Sequence, residues 1–214
     1  MVSRCWLIAT LLLAVTAQAQ NGKSRDDSRR SGLTYSSAST QALQNDDSQN
    51  PGMLWVQDGR AQWDKPDGEA RKSCADCHGK LDAMRGVAAR YPAYSGTLKR
   101  VLDLGQQINH CHVSQQRATA WPAEHQALLA LEAAVAHESR GLPVAPASPA
   151  PPALAEAQAR GKALFNERIG HVALSCHDCH DRYAGKRLGA NVIPQGHPTG
   201  YPIYRLEWQG MGSL

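Results

Sequence analysis

Apolar residues recur at helical spacing in two stretches between residues 96 and 141. One helix is predicted to start at Trp121-Pro122 and to end before Gly141, because proline favours a first helical turn and glycine the position after the last turn. A second helical stretch is predicted over Gly96 to Asn109, ending in His110-Cys111-His112. The apolar positions behind these predictions are Leu128, Leu129, Leu131 and Val135, and Leu98, Val101, Leu102 and Ile108.

The remaining pattern is more broken. A short helix is predicted around Thr40 to Asn45 and a longer one over Leu154 to Asn166. Residues 142–153 contain five prolines among small residues, a composition typical of an extended and rather stiff linker. From Gly185 to Leu214 the chain is rich in glycine and proline, which predicts loops with short regular pieces. The pattern as a whole predicts a mainly α fold.

These breaks also divide the chain into segments. Residues 1–19 have the features of a secretory signal, with Arg4 near the start, an apolar stretch from Trp6 to Val15, and Ala17-Gln18-Ala19 as a small-residue cleavage site. We expect a mobile polar leader over residues 20–31, a first domain over 32–140, a linker over 141–153 and a second domain over 154–214.

Two five-residue motifs carry the candidate chemistry, Cys74-Ala75-Asp76-Cys77-His78 and Cys176-His177-Asp178-Cys179-His180. In an exported protein, C-x-x-C-H is the attachment motif of c-type haem, which is bound through both cysteines and through the histidine on iron. Structural zinc and a disulfide or redox pair are the alternatives. Zinc pairs usually lie about 15–20 residues apart and need no adjoining histidine, whereas these pairs lie 176 − 74 = 102 residues apart. We therefore expect two covalently bound haem c groups and, together with the signal, a periplasmic location.

Composition supports this interpretation. The 214-residue chain has only 6% aromatic residues, and Phe165 is its one phenylalanine, so a core made of protein alone would be thin. Two porphyrins would supply large apolar surfaces for side chains to pack on. The net charge of +4 is too mild to indicate a nucleic-acid partner. No segment after the signal is apolar enough to predict a membrane span.

An internal repeat precedes the two motifs. Gly59 and Trp63 lie fifteen and eleven residues before Cys74, and Gly161 and Phe165 lie at the same distances before Cys176. Such a pair resembles the first helix of class I cytochrome c domains, where the glycine permits a close helix crossing and the aromatic ring packs near the haem. Chance is the alternative, since a glycine and an aromatic four apart are common. Agreement at both distances favours a duplicated domain, and the expected architecture is two class I cytochrome c-like domains, loop-rich around the haems.

The second axial ligand of each iron is less clear. For the first haem the candidates are Met84, His110, Cys111 and His112. Methionine would raise the reduction potential and a cysteine thiolate would lower it. Cys111 is the only cysteine outside the motifs once the signal is removed, and binding to iron would explain it, although a buried thiol or an intermolecular disulfide is also consistent. For the second haem the candidates His177, His197 and Met211 remain open.

Several longer stretches are similar to one family. The chain resembles SoxA, the dihaem cytochrome subunit of the SoxAX complex, L-cysteine S-thiosulfotransferase, in bacterial sulfur oxidation. The resemblance covers nearly all of the chain after the leader. It depends on Ser31 to Tyr35, Asn45 to Asp47, Asn50 to Val56, Gly86 to Pro92, Ile108-Asn109, Tyr183 to Leu188, Gln195-Gly196 and Tyr201 to Gln209.

This resemblance implies roles for the site residues and for several partners. It implies covalent haem at Cys74 and Cys77 and at Cys176 and Cys179, with axial His78 and Cys111 on the first iron and axial His180 on the second. It also implies a heterodimer with the monohaem subunit SoxX. Thiosulfate would be joined oxidatively to a cysteine of the carrier SoxYZ, and two electrons would pass through haem to a small cytochrome c.

The chain departs from the family at one point. The family continues past Met211-Gly212-Ser213-Leu214 into an arginine-rich segment with the catalytic cysteine, and this chain contains no match to that cysteine. We therefore expect no catalytic residue within these 214 residues, which form either a fragment, the interpretation we favour, or a truncated form with an altered second haem. The alternative function is a dihaem electron carrier without catalysis.

Overall fold

The structure is a computed structural model that describes residues 29–213. The predicted signal, and the predicted leader up to residue 28, lie outside the described residues. Helices dominate the part that is described, and its strands form three separate two-stranded antiparallel sheets. Within residues 29–213, no helix is both long enough and apolar enough to cross a bilayer.

The elements follow one another in a simple order. The helices of residues 29–213 are α1 (Ala38–Asn45), α2 (Gly52–Asp64), α3 (Ala75–His78), α4 (Leu104–Gln116), α5 (Gln126–His137), α6 (Pro152–Asn166) and α7 (Cys176–His180). The strands are β1 (Ala93–Ser95), β2 (Arg100–Leu102), β3 (Arg187–Leu188), β4 (Asn191–Val192), β5 (Ile203–Arg205) and β6 (Gly210–Gly212). Short 3-10 turns lie at Gly32–Tyr35, Leu81–Met84 and Ala88–Arg90.

The first domain is organised around the crossing of α2 and α5. A Cβ atom at Gly59 would lie 2.0 Å from the carbonyl oxygen of Ala130 and 2.7 Å from Cβ of Ala134, so only glycine permits this approach. Trp63, one turn later on α2, is buried together with Leu131 of α5. The crossing predicted at Gly59 is thus confirmed, and Trp63 is buried in the core beside it.

The corresponding crossing predicted at Gly161 is absent among the described residues. A Cβ atom at Gly161 would have no neighbour within 4 Å, and Leu164 on the same helix is 59% exposed. The reason is that α6 packs through its first turn instead. Leu154 is 1% exposed, and α6 contacts β1 and β2 of the first domain.

The repeat continues beyond the motifs. Strand β5 starts 203 − 93 = 110 residues after β1, and β6 starts 210 − 100 = 110 residues after β2. Each hairpin packs on the first long helix of the other domain, since β1 and β2 contact α6 while β6 contacts α2. A Cβ atom at Gly52, the first residue of α2, would lie 3.5 Å from Cβ of Tyr204 in β5. The two hairpins therefore form a reciprocal contact between the domains.

Two predicted helix boundaries are wrong. Residues from Gly96 form the turn of the first hairpin, and Val101 pairs with Tyr94 in the sheet, so α4 begins only at Leu104 and continues to Gln116. Its start is fixed by Asp103, whose carboxylate accepts the amide of Gln106 at 2.6 Å. His110-Cys111-His112 consequently lie inside α4 rather than at its end.

The helix predicted from Trp121-Pro122 also starts later, at Gln126. The backbone of Trp121 bonds to the side chain of Asn109 in α4 instead of entering a helix, and His125 caps α5 by accepting the amide of Ala127. The other helical predictions are confirmed within two residues, since α1 starts at Ala38 and α6 at Pro152. The segment after Gly185 contains two short hairpins among loops, as predicted.

One buried carboxylate lies where α5 meets the start of α4. The side chain of Glu132 accepts a hydrogen bond from the backbone of Gly105. Burial, and then the negative charge of Asp103, raise the pKa of Glu132 to about 7, and the bond from Gly105 opposes this rise.

A matched pair of glycine substitutions tests the crossing of α2 and α5. We expect Gly59→Ala to lower the free energy of unfolding by about 3 kcal/mol, because the added methyl group meets the backbone of Ala130. Gly161→Ala has open space around it and should raise stability by about 0.5–1 kcal/mol, since alanine favours a helix. Denaturant titrations followed by circular dichroism measure both effects. Equal effects of the two substitutions would contradict the crossing.

Glu132→Gln tests the buried carboxylate. Because the pKa of Glu132 rises from 4.5 to about 7 on folding, the folded protein binds the proton more tightly, and the native residue destabilises the fold as the pH rises through this range. The variant should therefore be more stable than the native chain by about 2–3 kcal/mol at about pH 8 and equally stable at about pH 4. Melting curves at the two pH values measure this difference. A gain of the same size at both would argue against a titrating Glu132.

Candidate functional site

Both C-x-x-C-H motifs form short helices with the same cap. The carboxylate of Asp76 accepts the amide of Ser73 at 2.7 Å, and the hydroxyl of Ser73 accepts the amide of Asp76 at 3.1 Å. Ser175 and Asp178 exchange the same two bonds, at 3.1 and 3.2 Å. This reciprocal cap fixes the first turn of each motif. The shared pattern Ser-Cys-x-Asp-Cys-His is a local sequence signal for this cap.

A tight turn precedes each cap at the same spacing. Backbone bridges join Asp67 to Lys72 in the first domain and Ile169 to Leu174 in the second. In the first domain this turn packs against the end of α4, because a Cβ atom at Gly68 would lie 2.0 Å from the carbonyl oxygen of Gln116. The turn therefore holds the segment leading into Cys74 against the helix that carries Cys111.

The first motif opens into a cavity of about 330 Å³, within the range of about 300–1,000 Å³ typical of cofactor sites. The sulfur-bearing residues Cys74, Cys77 and Cys111 and the imidazole of His78 all line it. Its apolar wall includes Trp63, Met84, Val87, Leu104, Ile108 and Leu131. Two thiols and an imidazole beside an apolar wall fit covalently bound haem.

The end of α3 is fixed beside the core. The indole nitrogen of Trp63 donates to the carbonyl oxygen of Gly79 at 2.9 Å, and the rings of Trp63 and His78 lie 5.8 Å apart. The aromatic residue of the repeat therefore lies beside the histidine that the motif assigns to iron.

The structure separates the four candidates for the second ligand of the first iron. Met84, Cys111 and His112 line the cavity, whereas His110 is not among the lining residues. The ring of His112 is 3% exposed and its Nε2 atom lies 3.1 Å from the carboxylate of Asp67, which occupies that nitrogen. Cys111 accepts a hydrogen bond from the side-chain amide of Gln107 at 3.4 Å. The Nδ1 atom of His112 is buried without a hydrogen-bond partner, so Met84, Cys111 and His112 all remain candidates, and only His110 is placed away from the cavity.

The pKa shifts in the cavity agree with the proximity of its sulfur atoms. Burial raises the pKa of the Cys74 thiol to about 11, and the neighbouring Cys111 and Cys77 add to this rise. Burial also raises the pKa of Tyr91, with a further contribution from Cys111. The cavity is therefore apolar enough to disfavour charge at the thiol of Cys74.

The second motif has its own supporting contacts. Nδ1 of His180 lies 2.8 Å from the carbonyl oxygen of Pro194. Because a carbonyl oxygen only accepts, Nδ1 carries the proton and Nε2 keeps a free lone pair, the form that can bind a metal. A Cβ atom at Gly196 would lie 2.9 Å from the ring of Phe165 and 3.2 Å from Cβ of His180. The aromatic residue of this repeat also lies near the motif histidine.

The three candidates for the remaining ligand of the second iron are placed elsewhere. Nδ1 of His177 lies 2.7 Å from the carboxylate of Asp181, and His197 is exposed. Met211 packs near Gly52 of the first domain, with its Cε atom 3.8 Å from the position of a Cβ atom there. None of the three is brought next to His180 by a described contact, so this position has no assigned side chain within residues 29–213.

The alternatives to haem find no support in the described residues. The cysteines at 74, 77, 111, 176 and 179 are all free, so no disulfide is present among them. No cluster of three or more His, Cys, Asp or Glu side chains within residues 29–213 is arranged to hold a metal ion. The two cysteine pairs therefore do not combine into a zinc site.

Comparison with known proteins agrees with this geometry. Residues 58–144 match the family model for the SoxA/TsdA cytochrome c domain. The chain is 39% identical over 184 residues to the L-cysteine S-thiosulfotransferase subunit SoxA of Rhodovulum sulfidophilum, covering 86% of this chain and 63% of that protein. It is 32% identical over 209 residues to the same subunit of Pseudaminobacter salicylatoxidans, covering 97% of this chain and 72% of that protein.

The fold agrees as well. The crystal structure of SoxXA from P. pantotrophus superimposes with a TM-score of 0.81 at 28% identity, covering 86% of this chain and 69% of that one. The predicted cytochrome c fold is thereby confirmed, and haem c is the cofactor of the matched domain. Because a relative at 32% identity is matched over 72% of its length, the chain belongs to the SoxA family of L-cysteine S-thiosulfotransferase subunits.

Proposed function

We propose that this chain is the dihaem cytochrome subunit of a periplasmic thiosulfotransferase that joins thiosulfate oxidatively to a cysteine of a SoxYZ carrier protein. The observation that carries this proposal is the first cavity, where Cys74, Cys77 and His78 share an apolar space with Cys111. The printed names of the relatives supply the reaction class. The predicted signal supports export, and the SoxXA structure supports a SoxX partner.

Two separate sets of described residues would hold the two haems. Cys74 and Cys77 would hold the first, with His78 and Cys111 on its iron, and Cys176 and Cys179 would hold the second, with His180 on its iron. Bound haem supplies a one-electron acceptor whose potential is tuned by its axial ligands. The hydrogen bond from His180 to Pro194 fixes which nitrogen faces the metal. The apolar wall of the first cavity, including Leu104 and Ile108, excludes water from the bound group.

The reaction balances as an oxidation with two electrons. The outer sulfur of thiosulfate forms a bond with the sulfur of the carrier cysteine, the thiol loses its proton, and two electrons leave. The product is a thiosulfonate adduct, RS–S–SO3⁻, formed from RSH and S2O3²⁻. The SoxX subunit and then a small cytochrome c would accept the electrons. Axial Cys111 would keep the first haem at low potential, because a thiolate donates electron density to iron.

A second candidate is a dihaem electron carrier without catalysis. The number and position of the cysteines favour it. Within residues 29–213, Cys111 is the one cysteine outside the two motifs, and it lies in the first cavity. The chain spans 63% and 72% of the two relatives compared, so the activity of the whole protein is a proposal for this chain.

Cys111→Met tests the axial ligand of the first haem. Replacing a thiolate by a thioether should raise the reduction potential of that haem by on the order of several hundred millivolts. Potentiometric titration of the purified dihaem chain measures the shift. Met84→Leu is the matched control, because Met84 lines the same cavity and should not change the potential. A shift with Met84→Leu and none with Cys111→Met would assign the iron to Met84 instead.

Coupling of thiosulfate separates the two candidate functions. The chain, or its longer product where the reading frame continues past Leu214, is mixed with a SoxX subunit, reduced SoxYZ, thiosulfate and an oxidised small cytochrome c. The expected result is a carrier whose mass increases by one thiosulfate-derived group while two molecules of cytochrome are reduced. A Cys176→Ala/Cys179→Ala variant, which cannot attach the second haem, should lose the adduct. Reversible reduction of the haems with an unmodified carrier in all samples would favour the electron carrier.

A further inference from the structure

Helix α4 brings Cys111 to the first cavity, yet few of its residues are apolar. Its cavity side carries Leu104 and Ile108, and Val113 on another side is 43% exposed. Each residue of a helix is turned by about 100° from the one before, so a small rotation of α4 about its axis would move the sulfur of Cys111 away from the cavity. The apolar contacts alone give little to fix that rotation.

Three polar residues near Cys111 on α4 supply the missing constraint, and two of them, His112 and Gln116, also line the cavity. Asn109, His112 and Gln116 are separated by three and four residues and so lie along one side of the helix, which we call the polar stripe. His112 is 3% exposed and Gln116 is 7% exposed. Polar side chains buried to this extent require partners. Each member of the stripe has at least one, while Nδ1 of His112 is buried without a hydrogen-bond partner.

Asn109 makes two bonds to one backbone unit. Its side-chain nitrogen donates to the carbonyl oxygen of Trp121 at 2.7 Å, and its side-chain oxygen accepts the amide of Trp121 at 3.0 Å. A pair of bonds in opposite directions defines an orientation as well as a distance. Asn109 precedes Cys111 by two residues, so this contact fixes the helix close to the sulfur.

His112 is held from two sides. Its Nε2 atom lies 3.1 Å from the carboxylate of Asp67, and its ring stacks on the ring of Trp121 with centroids 3.5 Å apart and an angle of 13° between the planes. Trp121 itself lines the cavity, so the stack connects the stripe to the haem wall. His112, which follows Cys111, is therefore held by Asp67 in the turn before the first motif and by Trp121 in the loop after α4.

Gln116 connects α4 to the segment that leads into the first motif. Its side-chain nitrogen donates to the carbonyl oxygen of Lys72 at 2.8 Å, and its backbone oxygen accepts the amide of Ala70 at 3.0 Å. Lys72 lies two residues before Cys74. The stripe thus ties the helix of Cys111 to the chain that carries the haem-attaching cysteines.

We propose that Asn109, His112 and Gln116 are positioning residues that set the rotation of α4 and so direct the sulfur of Cys111 to the first iron. This inference depends on the proposed ligation by Cys111. The stripe contacts the backbone and side chains of this chain, and its member Asn109 is not among the residues that line the cavity. Its loss should release Cys111 from iron while the haem remains attached at Cys74 and Cys77.

Two substitutions in the stripe test this role. Asn109→Leu removes both bonds to Trp121 at similar volume, and Gln116→Met removes the bond to Lys72 five residues from the sulfur. Ser114→Ala is the matched control, because Ser114 is exposed on the same helix. The readout is the low-spin ferric electron paramagnetic resonance signal typical of thiolate ligation, assigned to the first haem as the part that Cys111→Ala removes. We expect Asn109→Leu to lose at least half of this signal, Gln116→Met to lose a smaller part, and Ser114→Ala to lose none.

A double substitution separates positioning from a general effect on stability. If the stripe acts through Cys111, Asn109→Leu changes the potential of the first haem in the native background and leaves it unchanged in the Cys111→Ala background. Equal changes in both backgrounds would overturn the proposal.

The possible failures are distinguishable. If Cys111→Ala leaves the spectrum unchanged, Cys111 is not a ligand, and both the proposed ligation and the positioning role are wrong. If the native chain has the thiolate signal and both stripe variants keep it at the level of Ser114→Ala, only the positioning role is wrong. Should Asn109→Leu not mature with haem, the comparison of Gln116→Met with Ser114→Ala decides alone.

Discussion

One buried cluster of the first domain is also part of the wall of its haem cavity. Trp63, Leu104, Leu131 and Val135 form the buried cluster, and all four also line the cavity. Side chains that pack on each other on one side and on a cofactor on the other make folding and cofactor binding parts of one process. The crossing at Gly59 matters for this reason, because it brings α5 close enough to α2 to complete both surfaces.

The sequence predicted the site best where the functional residues lie only a few positions apart along the chain. The two C-x-x-C-H motifs and the pair Gly59 and Trp63 could be interpreted directly, and the structure places Cys74, Cys77, His78 and Cys111 in one cavity. Helix limits were harder, because strand pairing at Val101 and the bonds from Asn109 to Trp121 are contacts between distant residues that periodicity does not report. The caps at Asp103 and at the two motifs were local signals that could have been found.

The two domains share a plan and differ in their surfaces. The turn before the second motif exposes Ile169, Val172 and Leu174, whereas the residues 102 positions earlier are Asp67, Ala70 and Lys72. In the first domain that turn is joined to α4, because His112 contacts the carboxylate of Asp67 and Gln116 donates to the backbone carbonyl of Lys72. The first site is therefore enclosed by contacts from four helices and a loop, while the second depends in residues 29–213 on its cap, on Pro194 and on Phe165.

Each hairpin packs on a helix of the other domain, and this limits where the chain can be cut into separately folding pieces. Because the β1–β2 hairpin is covered by α6 and the β5–β6 hairpin contacts α2, cutting within the proline-rich segment and expressing each half separately would uncover an apolar surface on both pieces. Leu102 and Leu154, each 1% exposed in the whole chain, would face solvent. Neither half is then a self-sufficient module, because each covers an apolar face only with residues of the other.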